Sequence, residues 1–157
     1  MNVPDLQIEP MQLEDLDDVS QIEIEGGLSV WGKQNYSEEI KRGDSILYVA
    51  RTRDLKNKIS IVVGFVVARL ITPTVEILNI ATAQNQRKKG IGRRLLQQVI
   101  FESENRNYQA CWLEVRESND AARKFYSKMG FSEVGRRRSY YTNPSEDAIL
   151  LSLDFRK

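Results

Sequence analysis

An apolar, strand-like run, Val75–Ala81, leads within a few residues into Gln86-Arg87-Lys88-Lys89-Gly90-Ile91-Gly92-Arg93, and Ile91, Leu95, Leu96, Val99 and Ile100 then follow helical spacing. No other stretch restricts the fold as much. A strand must end, the chain must turn through a basic, glycine-bearing segment, and a helix from about Gly90 to Arg106 must begin. Two glycines let the backbone come close to a ligand, and the first N–H groups of the helix point outward at its positive dipole end. Arg87, Lys88, Lys89 and Arg93 ring that opening. A strand-to-helix turn without a ligand would account for a bare Gly-x-Gly. The basic ring and the strand–turn–helix context favour a pyrophosphate site.

The flanking segments supply the rest of a sheet. Leu6–Glu9 reads as a short strand stopped by Pro10, and Leu13, Leu16, Val19 and Ile22 recur as one face of a helix. Glu25–Gln34 reads as irregular, and Ser37–Arg42 as a short helix stopped by Gly43. Two long strands are expected at Ile46–Arg51 and Ile59–Leu70, joined by a charged turn at Thr52–Lys58. After the central helix come a strand at Ala110–Val115 and a helix that Ser118 or Asn119 can cap. Ala122, Phe125, Tyr126 and Met129 share a face of that helix, and Gly130 ends it. Strands near Phe131–Arg136 and Ala148–Leu153 flank a polar loop. The order is an α/β (α+β) pattern, a mixed sheet of about seven strands flanked by about four helices. With no linker or repeat, the 157 residues are expected to form a single domain, 1–157.

Composition removes several chemistries. The chain has no His, so His-based acid–base catalysis, Ser-His-Asp triads and His metal sites are excluded, and no metal is expected. The lone Cys111 cannot form an internal disulfide and lacks a His partner for nucleophilic work. With 23 Lys and Arg against 22 Asp and Glu, the basic excess of a nucleic-acid binder is absent. The longest apolar run, Ile61–Ala68, is too short to span a membrane, and the acidic start lacks the basic opening of a signal peptide. The expectation is a cytoplasmic protein with no membrane partner and no direct nucleic-acid partner.

The phosphate ligand can be narrowed. A P-loop needs Gly-Lys-Ser/Thr, but Arg93-Arg94 follows Gly92; a dinucleotide fingerprint needs a third glycine where Leu95 stands. What remains is R/Q-x-x-G-x-G/A, filled by Arg87, Gly90 and Gly92. Two side chains carry possible acid–base chemistry. Glu114 ends a predicted interior strand, where an isolated carboxylate is costly and needs a partner or a task. An ion pair with Arg116 or a lysine would explain it equally well. Tyr126, between Phe125 and Met129, sits where a core aromatic would.

The loop resembles the acetyl-CoA loop of the GCN5-related N-acetyltransferase (GNAT) superfamily. The resemblance extends through Asn79-Ile80-Ala81, Trp112-Leu113-Glu114-Val115-Arg116, Ser118-Asn119, Phe125-Tyr126, Met129-Gly130-Phe131 and Tyr140-Tyr141, in the order of its RimI group. It is specific from Leu78 to Leu153; the first half is similar only through element order and Trp31. RimI-type enzymes acetylate the N-terminal alanine of a small-subunit ribosomal protein. The resemblance therefore implies acetyl-CoA as cosubstrate and a protein N-terminus, that of a ribosomal protein, as partner.

By the same resemblance, Glu114 matches the general base and Tyr126 the general acid. Ile80, Ala81 and Thr82 match the strand that holds pantetheine and acetyl carbonyl. Arg87, Lys88, Lys89, Gly90, Ile91, Gly92 and Arg93 match the pyrophosphate loop, and Asn119 a cofactor contact. Trp31, Tyr140 and Tyr141 match the peptide side, the tyrosines as a pair on a loop that closes over the peptide. Departures stand at Thr82, where Val is common, at Gln86, where an aromatic is common, and at Val30, Gly32 and Ser139. Acetylation of lysine or small amines on the same fold, and a non-catalytic acyl-CoA-binding module, are the alternatives.

Overall fold

Runs of β-branched residues flanked by amphipathic helices make a sheet covered on both faces. The computed structural model describes residues 5–27, 30–54 and 56–156. Its strands are β1 (Leu6–Pro10), β2 (Ser45–Asp54), β3 (Ile59–Ile71), β4 (Thr74–Thr82), β5 (Ala110–Arg116), β6 (Ser132–Tyr141) and β7 (Glu146–Asp154). The helices are α1 (Leu16–Glu25), α2 (Lys33–Lys41), α3 (Ile91–Asn105) and α4 (Asp120–Lys128). One seven-stranded sheet runs in the order β1-β2-β3-β4-β5-β7-β6, antiparallel except between β4 and β5. Leu28 and Ser29, in the stretch expected to be irregular, and Leu55, in the expected turn, lie outside the described residues.

Alternation along the strands splits the core. Val66, Ala68, Val75, Ile77, Cys111, Leu113 and Ile149 pack with Ile91, Leu95, Leu96 and Val99 of α3 and Tyr126 of α4. On the opposite face Val49, Phe65 and Val67 pack with Leu16, Val19 and Ile22 of α1 and Tyr36 of α2. Fully burying each such side chain is worth about 1.5–3 kcal/mol, so both sets of helices are pinned to the sheet.

Three expected boundaries differ. Strand β2 runs on to Asp54 through the first residues of the expected turn Thr52–Lys58, paired with Ile59, Ser60 and Ile61 of β3. Helix α2 begins at Lys33, ahead of Ser37, because Gly32 at φ +82° turns the chain directly into it. Strand β6 runs on to Tyr141, so Tyr140 and Tyr141 are strand residues rather than part of a loop. Its pairing with β7 is interrupted between Arg137 and Tyr141, where Ser139 takes φ +50°, and the strand resumes after the kink. Among the described residues no helix is long and apolar enough to cross a membrane.

Candidate active site

Strands β4 and β5 are paired over three rungs only, Thr74 to Ala110, Val75 to Cys111 and Glu76 to Trp112. Beyond Glu76, β4 continues to Thr82 on β3, and beyond Trp112, β5 continues to Arg116 on β7. The sheet thus forks at its centre. On the β5 side, the backbone of β4 past Glu76 has no strand partner among the described residues. Leu78 bulges there, since Ile77 pairs with Ala68 while Asn79 pairs with Val67. Ile80, Ala81 and Thr82 line this arm of the fork, half-buried, with peptide groups available to an extended ligand.

The glycine loop lies just past the end of β4. Lys88 and Gly90 both have positive φ, +63° and +80°, a conformation that turns successive N–H groups toward one point. Helix α3 then begins, with Arg94 N–H to Gly90 C=O as its first bond at 3.1 Å. No side chain caps it, and the N–H groups of Ile91, Gly92 and Arg93 have no partner among the described residues. Arg87, Lys88 and Arg93 make no ion pair there either, and Lys89 only donates to Gln86. Free N–H groups at a helix start, within an unneutralised basic ring, are the donor set that a pyrophosphate needs. The helix can sit this low on the sheet because β3 carries Gly64. A Cβ there would lie 3.0 Å from the Ala81 carbonyl oxygen and 3.0 Å from Ile91 Cγ2.

Glu114 stands on the other arm, on the face covered by α1 and α2. Its side chain is only 13% exposed, and Arg137 Nε of β6 pairs with it at 2.7 Å. The expected partners were Arg116 or a lysine; a residue from a distant strand supplies the charge. Arg116 instead pairs with Glu146 at 3.3 Å and stacks its guanidinium 4.2 Å from the centre of the Tyr141 ring. Tyr140 and Tyr141 meet edge to face at 5.1 Å, and Arg137 lies over Tyr140 at 5.7 Å. The negative charge of Glu114 raises the pKa of Tyr140, whereas burial first and Glu114 second raise that of Tyr141. The structure therefore brings Glu114, Tyr140 and Tyr141 together, and adds Arg116 and Arg137.

Tyr126 is on the opposite face, packed edge-on against Phe125 and Phe131 at 5.1 and 5.5 Å. Burial pushes its pKa well above the usual phenol range, so it stays protonated, and no hydrogen bond holds its hydroxyl among the described residues. Glu114 and Tyr126 thus lie on opposite faces of the sheet. Asn119 caps α4, its side chain accepting from the Ala122 N–H at 3.2 Å.

A buried carboxylate on α1 that the sequence analysis did not single out organises the α1–α2 side. Glu23 accepts the N–H groups of Trp31 and Gly32 at 2.9 and 3.3 Å, the Tyr36 hydroxyl, and Asn79 Nδ2 at 3.2 Å. It ties the segment carrying Trp31, whose ring lies 5.2 Å from that of Tyr36, to β4 beside its bulge. Spacing on α1 offered a weak signal, because Glu23 follows the apolar stripe residue Ile22. Only the fold reveals its partners. Among the described residues, no group of three or more His, Cys, Asp or Glu could hold a metal ion.

The family profile described as the acetyltransferase (GNAT) family matches residues 16–131. The chain belongs to the GNAT acetyltransferase family. Like other GNAT enzymes it is an acyltransferase that uses acetyl-CoA. The ribosomal protein bS18-alanine N-acetyltransferase of Escherichia coli (strain K12) is 31% identical over 148 residues, covering 93% of this chain and 95% of that relative. A putative enzyme of the same description from Bacillus subtilis (strain 168) is 28% identical over 141 residues, 90% of each. The crystal structure of the Escherichia coli S18-alanine enzyme superposes with a TM-score of 0.81 at 28% identity, over 95% of this chain and 93% of that one. Arabidopsis thaliana NAA60 in complex with acetyl-CoA reaches 0.85 over 97% and 99% at 20% identity, a likeness of GNAT fold alone. The similarity thus extends through the first half of the chain, beyond the segment that the motifs marked.

Proposed function

We propose that this protein acetylates the N-terminal α-amine of a protein, the alanine of a bS18-like ribosomal protein, by direct transfer between two bound substrates. The observation that carries the reading is the cluster at the fork. Glu114 faces an aromatic and cationic cage of Tyr140, Tyr141, Arg116 and Arg137, on the sheet face opposite α3 and α4. Such a cage suits an extended peptide backbone, whose carbonyls can accept from tyrosine hydroxyls and guanidinium groups. The names of the relatives support the ribosomal substrate. A ribosomal substrate and acetyl-CoA also agree with action in the cytoplasm. We take the whole chain, 1–157, as one catalytic domain.

Acetyl-CoA supplies the acyl group and the thiolate that leaves. In this reading Arg87–Arg93 bind its pyrophosphate, Ile80–Thr82 orient its extended arm, and Asn119 adds a polar contact with the half of its amide not used in the cap. Backbone N–H groups of β4 past the bulge stabilise the developing negative oxygen. Glu114 takes a proton from the amine, and Tyr126 gives one to the thiolate. Trp31, held in place through Glu23, borders the peptide side. Cys111 is fully buried and its thiol pKa is pushed up to about 12, mainly by burial, so it carries no acyl group.

The test is a competition within one peptide bearing a free N-terminal alanine and an internal lysine. The unperturbed α-amine, of pKa about 7.7–8.0, is roughly a tenth neutral at pH 7, against about 0.04% of lysine at pKa about 10.4. Fragment mass spectrometry should place the acetyl group on the alanine nitrogen. Predominant modification of the lysine would overturn the N-terminal reading and leave the acetyltransferase activity standing.

A further inference from the structure

Strand β6 pairs with β7 at Arg137 to Ala148 and again at Tyr141 to Glu146. Between these rungs, Arg138, Ser139 and Tyr140 stand opposite Asp147 alone. The surplus is taken up at Ser139, which adopts φ +50°. Consecutive residues of a regular strand point to opposite faces. Tyr140 and Tyr141 instead meet edge to face at 5.1 Å, and the Glu114 charge acts on both phenols. The kink is what turns neighbours in sequence into a pair in space.

Serine disfavours the left-handed region, because its Cβ crowds the backbone there. Release to an extended conformation gains roughly tenfold in population, so the kink needs a holder. Asp147 meets that need. Its backbone carbonyl is turned toward β5, accepting the Glu117 N–H at 3.1 Å, which leaves the β6 side to its side chain. Oδ1 accepts the Ser139 N–H at 2.8 Å, and Oδ2 accepts from Arg136 Nη1 at 3.0 Å. Arg136 Nη1 also reaches Glu117 Oε1 at 2.8 Å, which anchors the group to the loop after β5.

We propose that Asp147 is a positioning residue for the peptide: by holding Ser139 left-handed it sets Tyr140 and Tyr141 beside Glu114, and so fixes affinity for an extended chain. The inference rests on the reading of the two tyrosines as a peptide clamp. Asp147 itself takes no part in proton transfer and lies apart from the glycine loop. A peptide offers successive backbone carbonyls to the two phenols, and a bare amine offers none. Selection of a chain over a bare amine therefore depends on the kink. Asparagine in place of Ser139 would hold it unaided, since its short amide tolerates the left-handed region better than serine does.

The experiment compares wild type with Asp147→Ala, Asp147→Asn, Ser139→Val and the double variant Asp147→Ala/Ser139→Asn. It reads melting temperature, acetyl-CoA affinity, the ring resonances of isotope-labelled tyrosine, and kcat and KM for two amines. One is an N-terminal alanine peptide or a lysine peptide, whichever the wild type acetylates faster. The other is the amide of the acetylated residue alone, which carries the same amine without the chain. We expect Asp147→Ala to shift the Tyr140 and Tyr141 resonances and to raise the peptide KM at least about fivefold. Its kcat, its acetyl-CoA affinity and its kcat/KM for the single-residue amide should stay within about twofold of wild type. Asp147→Asn keeps an oxygen for the Ser139 N–H and should retain most of the peptide affinity. Ser139→Val, whose branched side chain rejects the left-handed region, should raise the peptide KM with Asp147 intact, so the test survives if Asp147→Ala does not fold. The double variant should return the peptide KM to within about twofold of wild type, a recovery that a merely structural role for Asp147 does not give. Unmoved tyrosine resonances in Asp147→Ala, or a double variant no better than Asp147→Ala, overturn the proposal and leave the clamp standing. Displaced tyrosines with an unchanged peptide KM overturn it together with the clamp.

Discussion

Glu114→Gln and Tyr126→Phe each preserve side-chain volume while removing one acid–base function. Both should fold and bind acetyl-CoA as wild type does, with turnover reduced about 10²–10⁴-fold in a CoA-release assay. Equal turnover would reduce the pair to an ion-pair partner and a core aromatic. Glu23→Gln should act differently, because it replaces an acceptor with a donor among the buried donors Trp31 N–H, Tyr36 hydroxyl and Asn79 Nδ2. Loss of about 1–3 kcal/mol is expected in denaturant unfolding, together with a higher KM for the peptide. The sequence made Glu114 and the glycine loop legible because their signals are local: a strand-end carboxylate, and a strand–turn–helix join. It could not show Glu23 or Arg137 in their roles, since each gains its meaning from a contact with a residue on a distant element of the chain. Asn119 shows the limit from the other side, for its capping role was readable while any ligand contact was not.

Helix α3 reaches the sheet through the absence of a single side chain. Gly64→Ala would place a methyl group against Ala81 backbone and Ile91, and the backbone partner cannot swing aside. The expected cost is about 1–3 kcal/mol of stability. Because α3 carries the nest, calorimetry should also show weaker acetyl-CoA binding. Gly92 differs, since a Cβ there would meet Phe125 and Thr82 only at ordinary contact distances of 3.7–3.9 Å. Reduced affinity in a folded Gly92→Val variant would therefore report on the ligand side of the loop. Element order and strand positions were readable because the apolar periodicities are strong. The far end of β6 was not, because Arg136-Arg137-Arg138-Ser139 carries no apolar alternation and the strand there is held by ion pairs of Arg136 with Glu117 and Asp147. Helix α2 was read short for a related reason: its first turn, Lys33-Gln34-Asn35, is polar and its start is set by the Gly32 backbone.

At the scale of the whole molecule, acid should weaken the fold through its surface carboxylates. Asp44, beside Arg42, and Asp147, which accepts from the Ser139 N–H and pairs with Arg136, have lowered pKa values. So do Asp54, beside Asn57, and Glu146, which accepts from Ser118. Their contribution is present above the unfolded carboxylate range near pH 4 and is lost as pH falls through the lower folded values, which a series of melting curves would follow. The three-rung seam between β4 and β5 carries a larger consequence. Two half-sheets, β1–β4 and β5–β7, share little backbone bonding, and a ligand in the fork would complete what the strands leave open. At a hundredfold excess over its Kd, such a ligand adds about 2.7 kcal/mol to folding stability. That increment lowers the fraction of unfolded chains open to proteases about a hundredfold. Pulse proteolysis should therefore cleave the ligand-free protein well ahead of the loaded one. The protein's lifetime would then rise and fall with acetyl-CoA supply, making the enzyme's abundance a slow record of carbon status.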